Sequence, residues 1–271
     1  MKPFASIRFM SIGYLMQAVF LFSCGGKSVD TGFNEPKAVV DLSPTIGEDA
    51  PGKLVGQKFL QDFGLPVTTV FHHSTADTPF YYEDSKLEIF NHVGPHHDAP
   101  SHVIKGAKTT DEFSMDQFIG KAKILDFSGK KKDEALTRAD FEGKGIQAGD
   151  IVLAYVAYDP PKDSLSYPSY PYLSGEAAEY LADLPVKLFA TDMPSLASLT
   201  NFMNKVVNRS YKDSYELMPE HLAFARKNVP SIEGLVNLDK IIQEKNLVFI
   251  GFPLKIKKGN AGPIRAVALV Y

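Results

Sequence analysis

The chain has 271 residues, with 29 basic and 32 acidic side chains, a formal net charge of −3 and 44% hydrophobic residues. That balance excludes an extended cationic face of the kind that grips nucleic acid, and the Lys130-Lys131-Lys132 run and Lys255, Lys257 and Lys258 read as solvated loop charges. A single cysteine, Cys24, excludes an internal disulfide framework.

The first stretch reads as an address. Lys2 and Arg8 precede an apolar run over 9–22 that falls short of the roughly 20 residues of a spanning helix and fits the hydrophobic region of a secretory signal. It ends in Leu21-Phe22-Ser23-Cys24, which resembles the bacterial lipobox. The expectation is a lipoprotein signal peptide over 1–23 and an exported protein held to the membrane by lipid on Cys24. Gly25 favours the outer membrane of the cell envelope. Two acyl chains anchor stably where one does not. Removing 1–23 takes away two basic residues and no acid, leaving 27 against 32. Residues 24–37 are polar and glycine-containing, a flexible tether. Residues 38–271 then form one domain, long enough to bury a substantial core.

Five short apolar stretches predict strands: 122–127 (AKILDF), 151–158 (IVLAYVAY), 186–190 (VKLFA), 247–252 (LVFIGF) and 264–271 (IRAVALVY). Their near-continuous apolar character predicts burial on both faces. Ser174 is placed to cap a helix through 176–181, Pro219 suits the first turn of a helix carrying His221, and Asn237 is placed to cap 238–244. The loop over 159–173 is rich in proline and tyrosine. Strands and helices alternate without a strict βαβ rhythm, which predicts a single mixed α/β domain.

Four of the seven histidines fall in His92-Val93-Gly94-Pro95-His96-His97-Asp98-Ala99-Pro100-Ser101-His102. Histidine and carboxylate are the usual ligands of catalytic zinc and its neighbours. Gly94-Pro95 makes a helix improbable, so a tight loop must bring the side chains together.

His92, Gly94, His96, Asp98, Pro100 and His102 match the signature His-x-Gly-Thr-His-x-Asp-x-Pro-x-His of the cyclase family of metal-dependent hydrolases, which includes bacterial kynurenine formamidases and isatin hydrolases. The resemblance continues through Thr191-Asp192-Met193-Pro194-Ser195, His221-Leu222-Ala223-Phe224, Glu233-Gly234-Leu235-Val236-Asn237-Leu238 and Gly262-Pro263-Ile264-Arg265. It implies a layered, mixed-sheet α/β domain of the kynurenine formamidase type, often a homodimer. By the same resemblance His92, His96 and Asp98 hold a divalent metal, zinc or manganese. His221 and Glu233 hold a second ion that Asp98 would bridge, and His102 acts as general base and then acid. The implied reaction is hydrolysis of a small-molecule amide, an N-formyl arylamine or a cyclic amide. A cyclase or dehydratase on the same scaffold, and a non-catalytic ligand-binding lipoprotein, remain as alternatives.

Two positions depart from the signature. Pro95 replaces threonine, and His97, normally apolar, is expected to face solvent. Asp192 is a candidate orienter of a ligand histidine. Tyr167, Tyr170 and Tyr172 are expected beside a flat substrate ring. His72 and His73 are further candidates for the pocket that spacing alone does not place.

Overall fold

The computed structural model describes residues 34–47, 57–62, 64, 69–74, 81–161 and 167–271. The signal segment, Cys24 and the tether up to residue 33 lie outside the described residues. The strands are β1 (Ala38–Asp41), β2 (Thr69–Ser74), β3 (Glu83–Glu88), β4 (His96–Asp98), β5 (Ile119–Asp126), β6 (Ala135–Leu136), β7 (Ile151–Tyr155), β8 (Tyr172–Leu173), β9 (Leu188–Thr191), β10 (Ser231–Glu233), β11 (Leu247–Pro253) and β12 (Ala261–Val270). The helices are α1 (Gln57–Asp62), α2 (Arg138–Phe141), α3 (Gly175–Asp183), α4 (Leu199–Asn208), α5 (Ser214–Leu217) and α6 (Pro219–Lys227).

Eight strands form one mixed sheet in the order β1-β12-β11-β5-β7-β9-β10-β4, and β4 also pairs with β12, which closes the sheet on itself. The run β5-β7-β9-β10 is parallel and the remaining pairings are antiparallel. All five strands expected from sequence are present. Burial on both faces holds for the central pair: β7 and β9 have every residue buried except Tyr155. It does not hold for β5, where Asp126 is exposed and Lys123 and Ile124 are half-buried, nor for most of β11, which alternates buried and half-buried positions. These strands have only one face covered, as antiparallel and edge-facing strands commonly do.

The two faces of the central strands feed two cores. Val152, Ala154 and Phe189 pack with Ala177, Ala178 and Leu181 of α3 and with Ala223 and Phe224 of α6. Ile151, Leu153, Leu188 and Ala190 point the other way, into the ring, against Phe118, Ile232, Phe249, Ala266 and Ala268. The side-chain period of two along a strand produces this division. Ser174 caps α3 by accepting from the Ala177 N–H, as its position before the helix predicted, and Pro219 opens α6. Asn237 departs from expectation. It sits in the left-handed region at φ 61 and makes no side-chain cap, its amide donates to the Asp41 carbonyl, and only a short 3-10 turn, Leu238–Ile241, follows.

The ring closure positions the chemistry. In β4 and β10 the register pairs His96 with Glu233, His97 with Ile232 and Asp98 with Ser231. On its other edge β4 pairs His96 with Pro263, His97 with Gly262 and Asp98 with Ala261. The turn before β4 bends at Gly94, φ +74, and lies directly under Gly234, φ +77, where an added Cβ would stand 2.8 Å from the Gly94 carbonyl oxygen. Any side chain at 234 therefore meets both a left-handed backbone penalty, about 1–2 kcal/mol, and a backbone clash. Gly234→Ala is expected to lower unfolding free energy by at least about 1–2 kcal/mol in chemical denaturation and to weaken metal uptake by shifting the 92–95 turn. Wild-type stability in that variant would contradict this packing.

Candidate metal centre

Six side chains converge from five places. His92 comes from the turn after β3, and His96 and Asp98 from one face of β4. His102 closes a 3-10 turn, Pro100–His102, that Pro100 initiates. His221 comes from the first turn of α6 and Glu233 from the end of β10. Alternation along β4 sends His96 and Asp98 to this side and His97 to the other.

The distances describe a centre built around Asp98. Its Oδ1 lies 2.9 Å from His92 Nδ1 and 3.4 Å from His96 Nε2, and its Oδ2 lies 3.5 Å from His221 Nε2. Glu233 straddles the same two histidines, with Oε1 3.1 Å from His221 Nε2 and Oε2 3.4 Å from His96 Nε2. Among the described residues, two groups each offer ligand atoms lying within 4.8 Å of one another: His92, His96 and Asp98, and Asp98, His102 and His221. Asp98 belongs to both.

Orientation is set by the backbone. His96 Nδ1 donates to the Gly94 carbonyl at 2.9 Å, which directs Nε2 into the centre. The Leu196 N–H donates to Glu233 Oε1 at 2.6 Å. His221 Nδ1 lies 3.0 Å from Glu220 Oε1. Yet His92 Nε2, His96 Nε2 and both oxygens of Asp98 are buried without a hydrogen-bond partner. Buried polar groups are normally satisfied, and orphaned ones cost about 1–3 kcal/mol each. Imidazole nitrogens and carboxylate oxygens that approach closely without hydrogen-bond alignment are the donor set of a divalent cation. The residues present thus fit the metal that the sequence implied.

The electrostatics agree. Burial alone would raise the Asp98 carboxyl, but His96, His102, His221 and His92 together hold it well below the usual carboxylate range. Burial would lower His96, yet Asp98 and Glu233 raise it to about 10, and the same carboxylates, with Glu220, hold His221 well above its ordinary value. His102 behaves oppositely: burial pushes it down to about 4, which leaves its ring neutral at pH 7. Its ring centroid stands 4.3 Å from that of His92 and 5.8 Å from that of His221.

An apolar wall adjoins the donors. Phe90, Leu199, Phe202 and Met218 line a cavity of about 230 Å³ that also takes in His92, His96, Asp98, His102, His221 and Glu233. Sequence reading missed these four. Leu199 and Phe202 lie on α4, which Ser198 caps by accepting from the Asn201 N–H, a sequence signal of the same kind as Ser174. The tyrosines expected there are elsewhere. Tyr170 is buried in the helix-side core and donates to the Ala197 carbonyl at 2.7 Å, Tyr172 lies in β8, and Tyr167 bonds Asp62. Tyr155 and Tyr158 instead line a second cavity across Gly94, with Asp192 and Asp239.

Two other assignments are corrected. Among the described residues Asp192 bonds no histidine. Its carboxylate accepts from the backbone N–H groups of Val156 and Tyr158 and holds the segment after β7; burial raises it to about 6 against those bonds. His97 does not face solvent. It is fully buried between the Phe113 and Phe118 rings, with Nδ1 donating to the Ser231 carbonyl at 3.3 Å. His72 and His73 lie on β2, opposite Ser85 and Asp84 in a two-stranded sheet separate from the closed one.

The Cyclase family, described as "Putative cyclase", matches residues 40–198, more than half of the chain. Kynurenine formamidase of Salinibacter ruber (strain DSM 13855 / M31) is 29% identical over 184 residues, covering 67% of this chain and 77% of the relative. Kynurenine formamidase of Bacillus mycoides (strain KBAB4) is 25% identical over 232 residues, covering 76% and 95%. Among solved structures, an isatin hydrolase bound to the product analogue thioisatinate superposes with a TM-score of 0.70 at 24% identity, covering 86% of this chain and 92% of that one. Isatin hydrolase A from Labrenzia aggregata, bound to benzyl benzoate, gives 0.65 at 22%, covering 86% and 93%. At these identities the structural likeness establishes the shared fold. The chain belongs to the cyclase family, on a closed mixed α/β sheet.

Burial depresses His97 to about 4 from an ordinary 6.5. A folded value below the unfolded one contributes stability that is present above about pH 6.5 and lost as pH falls through about 4. A tenfold difference in proton affinity between the folded and unfolded chain is worth about 1.4 kcal/mol, so the loss approaches about 3 kcal/mol. In metal-free protein, denaturation between pH 7 and 4 is expected to show wild type losing this increment relative to His97→Phe. Parallel curves for the two proteins would contradict the assignment.

Proposed function

We propose that this chain is a divalent-metal-dependent hydrolase that cleaves the C–N bond of a small aromatic amide, an N-formyl arylamine or a cyclic amide of the isatin kind. The observation that carries the reading is the Asp98 carboxylate, which turns Oδ1 to His92 and His96 and Oδ2 to His221, without hydrogen-bond partners, in the wall of a cavity shared with Phe90, Leu199, Phe202 and Met218. The kinship with kynurenine formamidases supports the same class of bond.

His92, His96 and Asp98 would hold one ion, and Asp98, His221 and Glu233 a second. Zinc or manganese bound there would lower the pKa of a water molecule towards neutrality and polarise the scissile carbonyl. The chain's own residues do the rest. His102, neutral at pH 7, accepts the proton from water and delivers it to the departing nitrogen, a contribution typically of ~10² to 10⁴ in rate. Phe90, Leu199, Phe202 and Met218 offer flat apolar surface to an aryl ring and keep bulk water from the carbonyl. Glu233, held by the Leu196 N–H, keeps its carboxylate fixed toward His96 and His221.

Lipid on Cys24, an outer-membrane location and a homodimeric state belong to the proposal as well. Membrane fractionation of wild type beside Cys24→Ala, and sedimentation of the soluble domain, test them.

The chemistry is tested with protein loaded with zinc or manganese and offered N-formylkynurenine and isatin. Turnover of at least one is expected. His102→Ala is expected to lose about 10² to 10⁴ in kcat with metal content unchanged. Absence of hydrolysis across a panel of formyl and cyclic amides would sink the proposal. Loss of metal in His102→Ala would make that histidine a ligand and not the base.

A further inference from the structure

Helix α6 buries two ionisable residues in succession, Glu220 and His221. Only the second belongs to the metal centre described above. His221 presents Nε2 to the centre, 3.1 Å from Glu233 Oε1 and 3.5 Å from Asp98 Oδ2, while Nδ1 meets Glu220 Oε1 at 3.0 Å. Glu220 is 3% exposed and stands outside both groups of clustered ligand atoms among the described residues. A carboxylate of that burial needs a reason for being there. One is its position in the first turn of α6, where free backbone N–H groups favour negative charge. The other is the imidazole.

We propose that Glu220 is a positioning residue that fixes the tautomer and ring angle of His221 for the ion shared with Asp98 and Glu233; this rests on the metal-centre reading above. A neutral imidazole carries one N–H and one lone pair, on either nitrogen. Pointing at carboxylates, Nε2 would tend to keep the proton, which is the form that does not ligate. A buried acceptor at Nδ1 draws the proton to that side and leaves the Nε2 lone pair free. It also blocks rotation of the ring about its bond to Cβ. His96 achieves the same end with a neutral acceptor, the Gly94 carbonyl at 2.9 Å. The two histidines therefore have different partners, a carbonyl and a carboxylate, and the carboxylate makes its imidazole the more basic ligand. Loss of such a partner typically costs 10–100-fold in metal affinity.

The test titrates full-length wild type, Glu220→Ala and Glu220→Gln with manganese alone, by calorimetry and electron paramagnetic resonance, with metal-free Tm measured alongside. Wild type is expected to take two ions. Glu220→Ala is expected to weaken one by about 10–100-fold and leave the other unchanged. Glu220→Gln, whose amide oxygen accepts the same N–H, is expected to recover most of the loss. Equal affinities in wild type and Glu220→Ala would overturn the inference alone. So would a glutamine variant as weak as the alanine one, or weakening of both ions together with a fall in metal-free Tm. A wild type that takes no ion would overturn the metal-centre reading first. Should the alanine variant fail to fold, 15N imidazole spectra of zinc-loaded wild type decide: His221 protonated at Nδ1 supports the proposal, and protonation at Nε2 ends it.

Discussion

Three backbone pairings between β4 and β10 set the chemistry of the whole molecule. Opposite residues in an antiparallel pair share a face, so His96 with Glu233 and Asp98 with Ser231 look one way, and His97 with Ile232 looks the other. A slip of one residue would exchange the faces. His97 would enter the centre, and His96 and Asp98 would be driven into the ring core beside Phe113 and Phe118. The register is held from three directions: the apolar demand of the Ile232 and His97 face, the second pairing of β4 to β12, and the bond from the Ile264 N–H to the Pro95 carbonyl at 2.9 Å. Pro95 costs little here, because it offers the closure a carbonyl and no N–H is called on.

That register concentrates charge where water is scarce. Burial and repulsion from Asp98 push the Glu233 carboxyl up, but His221 and His96 outweigh them and hold it below its usual value. Without a cation, protons on His96 and His221 offset the carboxylates, which is why both are raised. Binding of a divalent ion would replace those protons and release them to solvent, so uptake couples to pH. His102 stays apart from this exchange because burial outweighs the attraction of Asp98. The constellation thus holds His96 and His221, which answer to carboxylates, and His102, which stays neutral.

Much of this was legible in the chain. The His92 to His102 segment, the cap at Ser174, Pro219 at the start of α6 and the five apolar strands each carry a local signal, whether composition, capping chemistry or a continuous apolar run. What escaped has long-range causes. β4 and β10 are three residues each, too short for a period to declare itself, and their pairing joins residues more than 130 apart. His97 reads as a polar loop residue until alternation from His96 and Asp98 is applied, which turns it inward. Tyr170 looks like a pocket residue in the sequence, but its hydroxyl finds the Ala197 carbonyl in the core, a contact that no local pattern announces. Asp192 stands out by its place in the family pattern, and its role in bonding the 156–158 backbone depends on a strand 36 residues earlier. Glu220 gives no signal, being one more acid in a helix first turn.

The proposed centre puts Asp98 between two cation sites formed by the β4–β10 register. Crystals of the protein grown with manganese, measured at its absorption edge, test it directly. Two anomalous peaks are expected, one against Asp98 Oδ1 with His92 and His96, the other against Asp98 Oδ2 with His221 and Glu233. A single peak remote from Asp98, or none with the six side chains splayed apart, would contradict it.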